Sequence, residues 1–221
     1  MPLRIPVVEK ILSANDRLAL ENQVRFDSAK VLALNMMASP GAGKTSLVEQ
    51  TLKGFEGRLH IGMINGDIAT SFDADRAQAA GAIAIQINTG GDCHLDASMV
   101  QSAISQLDLG ALDLVIVENV GNLVCPADFK LGTHKSVLVA SIPEGDDKPY
   151  KYPGMYRGVD VVVINKIDLL PYVPFRMDFF KKGIEVLNPG VTQFELSCRT
   201  GEGLSSWMSW LEHQVEEFKR K

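Results

Sequence analysis

Seven apolar runs recur along the chain, separated by stretches whose apolar positions repeat every three or four residues. The runs are KVLALNMMA (30–38), RLHIGMIN (58–65), GAIAIQIN (81–88), LDLVIVEN (112–119), KSVLVASI (135–142), DVVVINK (160–166) and TQFELS (192–197). Most are apolar continuously rather than at alternate positions, the pattern of strands covered on both faces in a parallel sheet. The intervening stretches predict helices beginning near Lys44, Asp73, Asp96 and Phe175, and a last one from about Gly203 onward. The fold class that follows is α/β, a mostly parallel sheet with helices on both faces and right-handed crossovers. Val8, Ile11, Leu12, Leu18 and Leu20 have helical spacing. The expectation is therefore one domain, with an N-terminal helical segment (1–28) packed outside a core spanning 29–221. The stretch PEGDDKPYKYPG (143–154), rich in Pro, Gly and charge, predicts a mobile loop.

Composition narrows the classes of function. With 221 residues, 46% hydrophobic and 22% charged, the chain can bury a substantial core. A net charge of −5 and the lack of any Lys/Arg run argue against nucleic-acid and membrane-surface partners. No apolar stretch reaches the roughly 18 residues of a membrane span, and the first residues mix charges through their apolar positions, unlike a signal-peptide core. The expected location is cytoplasmic. Three cysteines, Cys93, Cys125 and Cys198, suit reduced thiols better than a disulfide framework.

The first strand runs into ASPGAGKTS, Ala38 to Ser46, which fits the phosphate loop G-x-x-x-x-G-K-[ST] except that Ala38 replaces the first glycine. Gly41, Ala42 and Gly43 allow backbone N–H groups to face phosphate oxygens, with Ser46 beside them. Lys44 adds a point charge, and Thr45 a hydroxyl for Mg²⁺. Ala38 costs little if it ends the strand without a positive φ. Downstream, VVVINKID ends a strand with Asn165, Lys166 and Asp168, which resembles the N-K-x-D guanine motif of GTPases. A carboxylate there pairs with guanine and would be left unsatisfied by adenine. SCRTG, with Ser197 and Cys198, is the expected loop behind the base, and Cys198 is read as structural within it. Between these motifs, VIVENVGN closes a strand with Glu118 and, three residues on, Gly121, in the pattern of a D-x-x-G switch. Glu118 is the candidate for holding Mg²⁺ and Gly121 for sensing the γ-phosphate. Asp67, at a strand end, is the best direct Mg²⁺ ligand and Asp73 the next. Capping a helix accounts for Asp73 as well as Mg²⁺ binding does, and is the preferred reading for Asp75.

GGDCHLDA places Cys93 beside His94 behind two glycines, and Cys125 follows Gly121 by four residues. The expectation is that the loops carrying them leave neighbouring strands. Two thiolates and an imidazole suit Zn²⁺ or Ni²⁺ rather than Mg²⁺, and leave a tetrahedron unclosed. Taken alone, buried cysteines and a capping histidine account for them as well.

SPGAGKT, GDIAT…DADR, TGGDCHLDA, ENVGNLVCPADFKLGTHK and NKIDLL together resemble the HypB family, with Lys130 at a position where that pattern is acidic. The resemblance runs from about Lys30 to Gly203. It implies a slow GTPase of the SIMIBI class that forms a homodimer with GTP. It also implies that Cys93, His94 and Cys125 are ligands for Ni²⁺ or Zn²⁺, and that metal passes to a hydrogenase large-subunit precursor alongside other maturation factors. No histidine-rich stretch or N-terminal cysteine cluster is present, so no high-capacity nickel store is expected. Apart from Arg76, no arginine or glutamine stands in an obvious finger or water-orienting position, which predicts slow turnover. In the nucleotide-dependent pair that the resemblance implies, Lys151 of the 143–154 loop would reach the partner's GTP. Two alternatives remain at this point. One is a urease-type nickel GTPase, although Cys125-Pro126 is followed by Ala127 rather than His. The other is a small-molecule kinase with merely buried cysteines.

Overall fold

The computed structural model describes residues 7–67 and 81–220. Asp73, Asp75, Arg76 and the helix expected at Asp73 lie outside them. Seven strands form one sheet in the order β3-β2-β4-β1-β5-β6-β7, all neighbours parallel. They are β1 (Leu32–Ala38), β2 (Ile61–Asp67), β3 (Ile83–Asn88), β4 (Leu114–Glu118), β5 (Lys135–Ser141), β6 (Val161–Asn165) and β7 (Thr192–Glu195). Each falls inside or within two residues of its apolar run.

Helices cover both faces. Around them the side-chain alternation of the strands splits the core. Leu34, Met36, Leu114 and Ile116 pack with Leu47, Trp207 and Leu211 beneath α2 (Lys44–Gly54) and the long C-terminal helix Leu204–Arg220. Ala33, Val115 and Val117 point the other way, toward α1 (Val7–Ala29) and α3 (Ala97–Ile104), where Phe26, Val100 and Ile104 meet them. Asp96 caps α3 by accepting from the Met99 N–H at 2.8 Å, as expected of a helix starting there. The helix expected near Phe175 begins at Met177 (Met177–Leu187). No described helix is long and apolar enough to cross a membrane.

α1 packs outside the sheet, and two asparagines fix it there. Asn22 Nδ2 donates to the carbonyls of Ala97 (2.8 Å) and Leu131 (3.0 Å), while Asn15 Oδ1 accepts from the Ala97 N–H at 2.8 Å. The segment 143–154 is not the open loop its composition suggests. After a 3₁₀ turn at Ile142–Glu144 it forms two short helices, α4 (Lys148–Lys151) and α5 (Pro153–Arg157). Its prolines stand in first helical turns, where a missing N–H costs nothing. Tertiary contacts complete the fold of the segment: Asp146 takes two hydrogen bonds from the Arg176 guanidinium (2.8 and 3.1 Å), and Tyr150 stacks on Phe179 at 4.5 Å.

Candidate functional site

The phosphate loop and the N-K-x-D loop are built against each other. Ala38 ends β1 in extended conformation; the turn instead uses Gly41 (φ 76°) and Gly43 (φ 103°), so the missing first glycine introduces no strain. Lys44 opens α2, so the N-terminal end of that helix follows directly on the loop, the place at which a helix offers backbone N–H groups and a positive dipole end to an anion. Buried Asn165 donates from Nδ2 to the Ala42 carbonyl at 3.0 Å and accepts at Oδ1 from the Lys166 and Cys198 N–H groups at 2.7 and 3.2 Å. Its amide also occupies the space a side chain at Gly43 would need. Lys166 sits in the left-handed region (φ 62°), which costs about 1–2 kcal/mol for a residue with a Cβ. That conformation lets its ammonium donate to the Gly41 carbonyl at 2.6 Å, laying the stem along the cavity wall.

Two cavities adjoin through Gly43, Ser46 and Lys166. One, of about 300 Å³, is lined by Gln50, Asn165, Asp168, Cys198 and Arg199. The other, of about 450 Å³, is lined by Pro40, Lys44, Thr45, Asp67, Glu118 and Gly121. In the first, Asp168 lines the wall and its Oδ1 accepts from the Ser197 hydroxyl at 2.6 Å. Cys198 has its thiol pushed up to about 11, by burial first, so it stays protonated and unreactive near neutral pH. In the second, the Thr45 hydroxyl lies 2.7 Å from Glu118 Oε1, and Asp67 closes the same wall. These are hard oxygen donors of the kind Mg²⁺ takes. A Cβ at Gly121 would stand 3.2 Å from Pro40, so the switch glycine is seated directly on the phosphate loop.

Lys151 lines neither cavity. It pairs with Asp147 of its own helical turn at 2.5 Å. Glu144, in the turn just before it, bonds the Ser39 hydroxyl of the phosphate loop and accepts from the Ser141 N–H at 2.7 Å. Burial raises the Glu144 pKa above the usual carboxylate range.

Cys93, His94 and Cys125 converge. Their candidate ligand atoms all lie within 4.8 Å of one another, with Cys93 Sγ 3.0 Å from Cys125 Sγ and 3.8 Å from His94 Nδ1. The hydrogen bond with Cys125, and then burial, pushes the Cys93 thiol up. The strands behind these loops are not neighbours as expected from the sequence, because β2 lies between β3 and β4. The loop after β3 instead crosses over the end of β2. Gly66 permits this, since a Cβ there would meet the Leu95 side chain at 2.6 Å. Beyond it, the Leu95 N–H donates to Asn119 Oδ1 at 3.0 Å. The His94 ring lies against Phe129, with centroids 4.0 Å apart.

Residues without a motif join the two sites. Asn119, buried behind Glu118, bonds Asn35 and Leu95 through its side chain and the Met36 carbonyl through its N–H. Asn122 donates its N–H to the Ala38 carbonyl (2.9 Å) and its Nδ2 to the Cys93 carbonyl (3.2 Å), and accepts from the Val124 N–H (2.9 Å). The only sequence signal for either is proximity to the switch.

Residues 32–195 match the family model "CobW/HypB/UreG, nucleotide-binding domain". The "Probable hydrogenase maturation factor HypB" of Methanocaldococcus jannaschii is 40% identical over 97% of this chain and 97% of its own length. The chain belongs to the HypB family. It is thus a HypB-type GTPase of hydrogenase maturation, and the kinase alternative gives way. The HypB of Rhizobium leguminosarum bv. viciae is 49% identical over 95% of the chain and 70% of that protein. The crystal structure of HypB from Helicobacter pylori in complex with nickel superposes with a TM-score of 0.88 at 38% identity, covering 92% of this chain and 96% of that one.

Proposed function

We propose that the chain binds GTP across its two adjoining cavities, hydrolyses it slowly, and uses hydrolysis to time the release of nickel to a hydrogenase large-subunit precursor. Asp168 selects guanine, with Asn165, Lys166, Ser197 and Cys198 shaping its loop. Gly41, Ala42, Gly43, Lys44 and Ser46 hold the phosphates. Thr45, Glu118 and Asp67 would hold Mg²⁺, whose charge offsets that on the β- and γ-phosphates. Asp73, outside the described residues, is proposed as a further Mg²⁺ ligand. Gly121 contacts the γ-phosphate. Cys93, His94 and Cys125 bind the cargo, nickel or zinc, and their open fourth position leaves room for a second ligand set.

The observation that carries this reading is the seating of Gly121 on Pro40, four residues before Cys125. A loop that touches the phosphate site and carries a thiolate provides a direct route by which loss of the γ-phosphate shifts that thiolate. GTP favours pairing of two chains, and Lys151 then exchanges Asp147 for the partner's nucleotide. That the related HypB of Helicobacter pylori was crystallised in complex with nickel supports the choice of metal.

Metal analysis and light scattering with GDP and with a non-hydrolysable GTP analogue test the assignment. Cys93→Ala, His94→Ala and Cys125→Ala should each lose nickel and zinc while keeping GTP, and Cys198→Ala should keep both. Metal loss in the Cys198 variant together with retention in the Cys125 variant would refute the ligand set.

A further inference from the structure

We propose that Asn122 is the positioning residue through which the nucleotide state is transmitted to the nickel ligands. The inference rests on the functional reading above and names the group that does the coupling. Three hydrogen bonds carry it. The Asn122 N–H donates to the carbonyl of Ala38, the last residue of β1 before the phosphate loop, at 2.9 Å. Its Nδ2 donates to the Cys93 carbonyl at 3.2 Å, and its Oδ1 accepts from the Val124 N–H at 2.9 Å, one residue before Cys125. The amide can sit only one way round, because Cys93 offers a carbonyl and Val124 an N–H.

One side chain therefore spans the backbone beside both thiol ligands, while its own backbone is tied to the nucleotide loop. The immediately preceding residue, Gly121, abuts Pro40. A shift of the switch that follows the γ-phosphate moves Asn122 and, through its amide, alters the spacing of Cys93 and Cys125. Without the amide, the two ligand loops lose their shared tether and relax independently of the switch. Cys93, His94 and Cys125 would still bind metal, but with one affinity whatever the nucleotide.

The test compares nickel affinity with saturating GDP and with a saturating non-hydrolysable GTP analogue, for the parent chain, Asn122→Asp and Asn122→Ala. Asn122→Asp keeps the acceptor for Val124 and removes only the donor to Cys93; Asn122→Ala removes both. The parent should show a ratio of at least about fivefold, the lower end of ordinary coupling. Both variants should show a ratio within about twofold of unity while binding GTP within about threefold of the parent and still taking up nickel. A purely structural role would weaken nickel equally in both states and leave the ratio intact, which overturns the proposal. Loss of GTP affinity in both variants also overturns it, by making Asn122 part of the nucleotide site. If the parent itself has a ratio of one, the coupling reading falls together with the proposal. A coupled parent with equally coupled variants removes Asn122 alone.

Discussion

Asn165→Ala separates a preorganised guanine loop from one that forms around the nucleotide. In the folded chain the Asn165 amide links three backbone groups: the Ala42 carbonyl at 3.0 Å, the Lys166 N–H at 2.7 Å and the Cys198 N–H at 3.2 Å. It is 1% exposed, so water cannot readily replace these bonds. At about 1 kcal/mol each, their loss amounts to roughly 3 kcal/mol. Part of this appears as lower stability. The part that orders the Asp168 and Cys198 loops against Gly43 appears as nucleotide affinity, and if it is most of the total, GDP and GTP weaken by up to about a hundredfold. Titration calorimetry with GDP, paired with thermal unfolding of the nucleotide-free protein, divides the two. The expected outcome is at least a tenfold loss of GDP affinity with nickel uptake retained. An affinity within threefold of the parent would refute the claim that this amide assembles the site.

Asp168→Asn should weaken GTP and favour xanthine nucleotides, because an amide donates where the carboxylate accepted; unchanged discrimination in nucleotide competition would remove Asp168 from base recognition. Lys151→Ala should leave the GTP affinity of the monomer nearly intact and reduce dimerisation with the GTP analogue in light scattering; equal dimerisation at equal saturation would end the cross-subunit role. His134 accepts the Ala33 N–H at Nδ1 (2.9 Å) and meets Asp27 through Nε2 (3.1 Å), which requires neutral imidazole, and burial lowers its pKa. The unfolded chain therefore protonates first as pH falls below about 6.5. The His134 contribution is complete above that pH and is lost as pH falls toward the lower folded value. Thermal unfolding between pH 8 and 5 should show this slope, and His134→Gln should flatten it; an unchanged slope would contradict the assignment.

Much of the architecture was legible because local and global signals agree. Buried parallel strands must be continuously apolar, so runs such as LVIV and VVVI announce themselves. Phosphate and guanine chemistry likewise demands particular residues at fixed spacing, which is why Lys44, Thr45, Asn165 and Asp168 could be nominated from the chain, and the structure places them around two adjoining cavities. The segment 143–154 misled because composition reports backbone preference, whereas the segment is held by Arg176, which pairs with Asp146, and by Phe179 of α6 (Met177–Leu187), which stacks on Tyr150. The meeting of Cys93 with Cys125 was expected for the wrong reason. Their strands are separated by β2, and the crossing depends on the fit of Leu95 over Gly66, a contact without a periodic signature. Asn119 and Asn122 were invisible for a related reason. Each makes hydrogen bonds to groups distant in sequence, Asn119 to Asn35 and Leu95 and Asn122 to Ala38 and Cys93, and asparagine near a turn usually signals only the turn.

The central claim, that GTP hydrolysis times nickel release, is tested most directly by following both events in one single-turnover experiment. Nickel-loaded protein is mixed with Mg²⁺ and GTP, phosphate formation is measured, and nickel transfer to a colorimetric chelator is recorded on the same time axis. Nickel should appear with the rate constant of GTP loss and be retained when a non-hydrolysable analogue replaces GTP. Nickel leaving equally fast with the analogue would contradict it.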